Sequence, residues 1–240
     1  ALVPFGAQPP RYDEPEPTDT FTAQLRELSA RDRQGAMLAE PAKAVPSSAS
    51  GGPAGAVRAE LARGLLDYFE QQFGRDPALA VERTLEESVQ RKLSVRHTDG
   101  AWCDARALAV ALDRFDKVFG EGDRAHVAEA GRHFARAHYY GGERVELFKT
   151  ITPELFFSMS SDLWNRYVGA GDARVTKVGR GYGRMEVRGQ EVPMLANSIA
   201  ILGFLDEGLR LAGALGVSVR LAETAAVGDG RDLFEAAWTA

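Results

Sequence analysis

The chain has 240 residues, 45% of them hydrophobic, which is enough to form a substantial core. Its formal net charge of −5 excludes the chain-wide basic excess that attracts nucleic acid, so no nucleic-acid partner is expected. The single cysteine, Cys103, excludes an internal disulfide framework and fits a cytoplasmic protein. Charged residues interrupt the longest apolar run, so no membrane span is predicted. The first residue is not methionine, and we expect an upstream segment.

Residues 1–56 differ in composition from the rest and hold eight of the 11 prolines. This composition predicts a disordered N-terminal tail or linker, followed by a single domain over residues 57–240. Between its Pro-rich ends, residues 20–39 have helical spacing, with Leu25 and Leu28 on one side. This segment is either a transient helix in the tail or a docking peptide for a partner groove.

From residue 57 the apolar spacing is helical as far as residue 168. Asp104 and Asp123 are predicted to cap two of the helices, and Thr152 with Pro153 predicts the start of the last one. The predicted helices span residues 57–74, 76–93, 104–119 and 124–140, a short segment from 143, and 153–168.

The pattern then changes to alternation on both sides of the glycine-rich run GRGYG at residues 179–183, which predicts a β-hairpin. Residues 193–215 are apolar on nearly all faces, which predicts a buried helix starting at Pro193. Residues 217–221 and 233–239 predict a second hairpin. The order predicts an α+β fold, in which an N-terminal helical layer precedes a four-stranded antiparallel sheet made of hairpin, buried helix and hairpin.

The segments VTKVGRGYGRMEV, ILGFLDEGLRLAGAL and VSVRLAETAAVGDGRDLFEAAW give the chain a family resemblance over about residues 104–238. In this order they resemble the superfamily of 4-vinyl-reductase, haem-NO-binding and TRAPP-like domains, and in particular its uncharacterised myxobacterial members. The resemblance implies a small-molecule sensor or an adaptor in a larger assembly, and many members are not enzymes. It rests on element order and on Gly203, Phe204, Gly208, Gly213, Gly216 and Trp238.

The haem-binding branch of that superfamily uses a proximal histidine and a Tyr-x-Ser-x-Arg motif for the haem propionates. The nearest cluster in this chain, residues 180–184, has the wrong spacing and no serine. We therefore expect no haem and no other cofactor.

Motifs for other chemistry are weak. The GRGYG run has strands on both sides and is a hairpin turn rather than a phosphate loop, although Arg180 and Arg184 there could contact an anion or an acidic partner. His126 and His133 lie seven apart on one helix, roughly 10 Å along its axis, too far to share a metal. No catalytic residue and no metal ligand is assigned.

Five aromatic residues are the strongest candidates for binding a small apolar ligand. If the helix at 153–168 crosses the sheet beside the buried helix, their rings surround one volume, which either fills the core or holds a ligand. Arg166, with Arg184, would lie at its edge and could contact a carboxylate. The five are Phe156, Trp164, Tyr167, Tyr182 and Phe204.

The main hypothesis is a non-enzymatic signalling or adaptor domain that binds a protein partner, including a second copy as a homodimer, through the helix at 156–167. A small apolar ligand would modulate that association. The alternative is an intracellular sensor with an aromatic pocket, which predicts an enclosed cavity rather than a filled core. The second alternative is an enzyme with an unrecognised site, for which Cys103, His133 and Glu154 are the candidates.

Overall fold

The structure, a computed structural model, describes residues 19–35, 52–140, 150–169, 171–190 and 194–239. Pro193, the short helix predicted from residue 143 and most of the predicted tail lie outside the described residues. The helices are α1 (Asp19–Gly35), α2 (Ala59–Phe73), α3 (Arg75–Glu82), α4 (Glu87–Ser94), α5 (Ala105–Phe119), α6 (Ala125–Tyr140), α7 (Pro153–Ser158), α8 (Ser160–Tyr167) and α9 (Leu195–Leu211). The strands are β1 (Ala56–Arg58), β2 (Trp102–Asp104), β3 (Asp172–Gly179), β4 (Tyr182–Arg188), β5 (Leu215–Glu223) and β6 (Arg231–Thr239).

The predicted α+β class is confirmed, with a four-stranded antiparallel sheet in the order β3-β4-β6-β5. The register aligns Met185 of β4, Phe234 of β6 and Leu221 of β5 in one row across the sheet, and all three side chains are buried. Alternation along β5 places Val217, Val219 and Leu221 on this same face, as the spacing predicts. The helices α7, α8 and α9 contact the sheet.

The two longest core helices, α6 and α9, pack at unusually close range because glycines lie at their crossing. A Cβ on Gly131 of α6 would lie 1.9 Å from the carbonyl oxygen of Ala200. A Cβ on Gly203 of α9 would lie 2.0 Å from the carbonyl oxygen of Ala128. Each helix thus has a glycine where the other presents its backbone, which allows α9 to be buried on nearly all faces.

The helix α1 packs on the rest of the protein, although its sequence belongs to the predicted tail. Leu25 and Leu28 are 1% and 3% exposed, and the Phe21 ring lies 4.5 Å from the Arg132 guanidinium carbon of α6. The transient-helix interpretation does not match this packing. The docking-peptide interpretation matches it, but the surface on which α1 packs belongs to the same chain and not to a partner. The domain boundary at residue 57 stays a prediction.

The turn between α5 and α6 holds α1 through Arg124. This residue has a φ of 67° and is 9% exposed. Its guanidinium donates to Asp113 at 2.7 Å, to Asp32 of α1 at 2.7 Å and to the Ser29 hydroxyl of α1 at 3.3 Å. One arginine therefore joins α1 to the start of α6.

Helix caps are confirmed at three predicted positions, and a further capping residue, Asp116, was missed. Asp104 accepts from the Ala107 N–H at 2.8 Å, and Thr152 accepts from the Leu155 N–H at 3.3 Å. The carboxylate of Asp116, buried in α5, accepts from the N–H groups of Arg124 and His126 at 2.8 and 3.0 Å. Asp123, the predicted cap, bonds the Ala125 N–H at 3.0 Å.

Two predicted helices are divided. The segment 76–93 forms α3 and α4 with a turn between them, and the segment 153–168 is interrupted at Met159. Around that break the hydroxyls of Ser158 and Ser160 donate to the carbonyls of Leu155 and Phe156. Such bonds back to the preceding turn bend helices, which explains the division of α7 from α8. None of the described helices is long and apolar enough to cross a membrane.

Candidate functional site

The helix α8 turns one face into the protein, beside α9 and the start of α2. Trp164 and Tyr167 on this face are 5% and 9% exposed. The ring of Tyr167 contacts Phe134 of α6 edge-on at 5.7 Å, and Phe134 lies 5.9 Å from the ring of Phe204 of α9. Helices distant in sequence therefore bring these aromatic rings together, and each ring lies on the buried face of its own helix.

These rings border an apolar cavity of about 20 Å³, called cavity A below. That volume is room for about one water molecule. Its hydrophobic lining spans four helices and the sheet. The lining residues are Leu61, Phe134, Ser160, Leu163, Trp164, Tyr167, Val168, Met185, Ile201, Phe204 and Leu205.

A neighbouring cavity of about 30 Å³, called cavity B, reaches from the same wall toward the starts of α2, α5 and α9. It has two polar side chains, Gln190 and Asn197, in an otherwise apolar lining. The remaining residues are Gly55, Val57, Leu61, Leu65, Ala105, Leu108, Trp164, Val168, Ala200 and Ile201. Leu61, Trp164, Val168 and Ile201 line both cavities.

The five predicted aromatic ligand residues divide into three that line cavity A and two that do not. Trp164, Tyr167 and Phe204 line it. Phe156 is buried behind Phe204, with ring centroids 6.2 Å apart, and lines neither cavity. Tyr182 is half-buried at the β3–β4 turn, under the Lys177 ammonium at 5.2 Å, away from both cavities.

The predicted arginine contacts lie outside the two cavities. Arg166 is exposed, and its guanidinium carbon is 5.8 Å from the adjacent Tyr167 ring. Arg180 is exposed in the hairpin turn, and Arg184 faces Glu235 at 3.7 Å. Because Arg184 already has a carboxylate partner, the hairpin does not present two free guanidinium groups to one anion.

Sequence reasoning missed Leu61, Phe134, Ile201 and Asn197 as cavity residues. Leu61 and Phe134 occupy core positions of amphipathic helices, which marks burial but not the position of a cavity. Asn197 gave a signal that could have been read, because it is a polar residue in the mostly apolar N-terminal half of α9.

The residues considered for catalysis line neither cavity. Cys103 is 1% exposed, and burial raises the pKa of its thiol, which disfavours the nucleophilic thiolate. Burial, aided by Arg136, lowers the pKa of His133. Neither of these, nor Glu154, lines a cavity. Among the described residues no group of three or more His, Cys, Asp or Glu side chains could hold a metal ion.

Comparison with solved structures places this fold among haem-NO-binding (H-NOX) proteins. An H-NOX protein from K. algicida, described as Fe(II) unliganded, matches with a TM-score of 0.55 and 12% identity, over 76% of this chain and 97% of that one. A structure from work on haem distortion in the H-NOX family matches with a TM-score of 0.56 and 14% identity, over 76% and 95%. At these identities the likeness is one of fold.

A third match comes from work on H-NOX activation, with a TM-score of 0.53, 13% identity and 74% and 94% coverage. No protein-family model matches the sequence, and no curated protein matches it either. The haem-NO-binding part of the resemblance is thus supported at the level of fold. Its 4-vinyl-reductase, TRAPP-like and myxobacterial parts stay predictions.

The described residues of the site do not fit a haem. Pockets for drug-sized ligands have volumes of roughly 300–1,000 Å³, whereas cavity A has about 20 Å³. Haem iron in proteins is held by His, Cys, Met or Tyr. Of these, Tyr167 and Met185 line cavity A, and the Tyr167 hydroxyl is 3.2 Å from Nδ1 of His138. We derive no haem chemistry from this site.

Proposed function

We propose that this chain is a small-molecule sensor domain that uses an H-NOX-like fold without haem and binds a small apolar molecule beside Trp164. This is the sensor alternative of the sequence analysis, placed ahead of the adaptor hypothesis. The observation that carries the proposal is the pair of adjoining, largely apolar cavities, which share Trp164 and Ile201 in their linings. A core packed only for stability has few voids larger than a water molecule.

The size of the cavities limits the ligand. A buried water needs about 10–15 Å³ of such space, so cavity A, of about 20 Å³, has room for about one water and cavity B, of about 30 Å³, for about two. A cavity that binds benzene has about 150 Å³, so a six-membered ring fits here only if the surrounding side chains move. The side chains between the cavities, above all Trp164 and Ile201, must shift for the two to join. The class of ligand is therefore a single-ring or smaller molecule.

The electrostatics of the lining also limit the ligand. Every residue that lines the two cavities is uncharged. A charged ligand would lose its hydration without gaining an ion-pair partner, at a cost of several kcal/mol or more. The proposed ligand is therefore neutral.

Binding of 4-fluorotoluene, followed by ¹⁹F NMR of the ligand, tests this proposal. We expect saturable binding at one site and at least a tenfold loss of affinity in the variant Ile201→Trp. Ile201 lines both cavities and is half-buried, so the larger ring fills the space where the two cavities join.

The control is Val178→Trp, which adds the same ring at an exposed position of β3. It should bind 4-fluorotoluene like the original chain, and circular dichroism should show both variants folded. Absence of saturable binding in the original chain, or equal binding by Ile201→Trp, would contradict the proposal. So would a stoichiometric Soret band of protein-bound haem when haem is titrated into the chain.

The association of this domain with a partner or a second copy remains part of the proposal. Its support is an exposed apolar edge near the cavity: Leu155 and Met159 are 47% and 39% exposed. An adaptor without a ligand would associate equally with and without 4-fluorotoluene. A sensor that acts through association would change its molar mass by light scattering when the ligand is added.

A further inference from the structure

We propose that cavity B recognises a hydrogen-bond donor, so that the ligand is a neutral, single-ring molecule with one O–H or N–H group directed at Asn197. This inference rests on the proposed function and specifies its ligand. The observation that carries it is a buried hydrogen-bond acceptor on a residue in the wall of cavity B, to which no group donates.

Asn197 lies in the first turn of α9, and its side-chain Nδ2 donates to the carbonyl oxygen of Ala105 at 3.2 Å. That bond fixes the orientation of the amide, because the reversed side chain would direct Oδ1 at another carbonyl oxygen. Oδ1 is buried and has no hydrogen-bond partner. Both Asn197 and Ala105 line cavity B. The acceptor is therefore held in place by one bond and left without a donor.

A buried acceptor without a donor is unfavourable, and few remain in folded proteins. The other polar side chain of cavity B does not relieve it: Nε2 of Gln190 donates to Asp232 at 2.7 Å and makes no bond to Oδ1 of Asn197. A ligand hydroxyl or amine would supply the missing hydrogen. An ordered water is the alternative, since the volume of about 30 Å³ admits one.

The two cavities together define the orientation of the ligand. Cavity A has apolar side chains such as Phe204 and Leu163 in its wall, and cavity B has Asn197, whose Oδ1 lacks a donor. Trp164 and Ile201 lie in both walls, where the body of a ring would pass from one cavity to the other. The apolar end of the ligand lies in cavity A, and its donor lies in cavity B.

The test compares 4-fluorophenol with 4-fluorotoluene, two rings of equal size of which only the first donates a hydrogen bond. The quantity measured by ¹⁹F NMR is the ratio of their dissociation constants in the full chain. In Asn197→Leu we expect this ratio to move about fivefold toward 4-fluorotoluene, since one neutral hydrogen bond contributes about 1 kcal/mol.

The matched control is Asn165→Leu on α8. Oδ1 of Asn165 is likewise buried and without a partner, but Asn165 lines neither cavity. This substitution should leave the ratio unchanged. If Asn197→Leu does not fold, Asn197→Ala, which also removes the amide acceptor, takes its place under the same criterion.

An unchanged ratio in the Asn197 variant, with both probes still binding, would overturn the inference. It would mean that water alone satisfies Oδ1, and the proposed function would stand. Failure of both probes to bind the original chain would overturn the proposed function and this inference with it. A fivefold change in both the Asn197 and Asn165 variants would also overturn it, because the effect would not come from the cavity.

Discussion

Replacement of Arg124 by methionine is expected to lower the free energy of unfolding by about 3 kcal/mol and to release α1. Arg124 is 9% exposed and bonds Asp113 together with Ser29 and Asp32 of α1. Methionine keeps much of the length of the side chain but leaves two carboxylates without their cation. Because those carboxylates remain about a quarter exposed, we expect a loss at the lower end of the range for a broken buried ion pair.

Urea unfolding measures the loss of stability. Limited trypsin digestion measures the release of α1: the side chains of Arg26 and Arg31 are already exposed, but trypsin cleaves there only once the helix has detached and unwound. The control is Arg91→Met, which removes an arginine whose side chain is 75% exposed in a pair with Glu87. Such surface pairs contribute between zero and about 1 kcal/mol. A loss in Arg124→Met no larger than in Arg91→Met, with unchanged digestion, would show that Arg124 does not hold α1.

Replacement of Gly203 by alanine is expected to cost about 3 kcal/mol, although alanine favours a helix over glycine by about 1 kcal/mol. The added methyl group would lie 2.0 Å from the carbonyl oxygen of Ala128, so α6 and α9 must separate. The separation would also widen cavity A, because Phe204 and Phe134 lie on these two helices.

The control for this substitution is Gly179→Ala, at a position where an added Cβ meets no atom within 4 Å. Thermal unfolding followed by circular dichroism compares the two variants. We expect a lower melting temperature in Gly203→Ala alone. Equal melting temperatures would mean that the two helices do not cross as closely as described.

The parts of the fold that depend on neighbours in sequence could be predicted. The all-round apolar pattern of α9 predicts its burial, and the side chains of Asp104 and Thr152 predict caps because each bonds a backbone N–H three residues later. The two hairpins follow from alternation on either side of glycine turns. In each case the signal lies in the pattern of neighbouring residues along the chain.

The parts that depend on distant residues could not be predicted. The docking of α1 was missed because Asp32 and Arg124 are 92 residues apart, while the Pro-rich flanks of the helix are typical of a linker. The strand order β3-β4-β6-β5 also rests on pairing between distant strands. One signal was present in the sequence: Ala128 with Gly131, and Ala200 with Gly203, put small residues one turn apart on the two helices that cross.

The candidate site likewise has a part that the sequence predicts and a part that it does not. The spacing of α8 predicts that Trp164 and Tyr167 face inward, and the structure places both at cavity A. The position of Tyr182 depends on where the hairpin meets the helices, which periodicity does not specify. The missing donor of Asn197 likewise appears only when α5 and α9 are placed side by side.

A crystal structure determined under xenon pressure tests the central claim most directly. Xenon binds in dry, apolar cavities whatever the natural ligand is. The account predicts an anomalous peak in cavity A, between Trp164 and Phe204, and no haem in the electron density. A core without xenon at that position, or a haem bound beside α8, would contradict it.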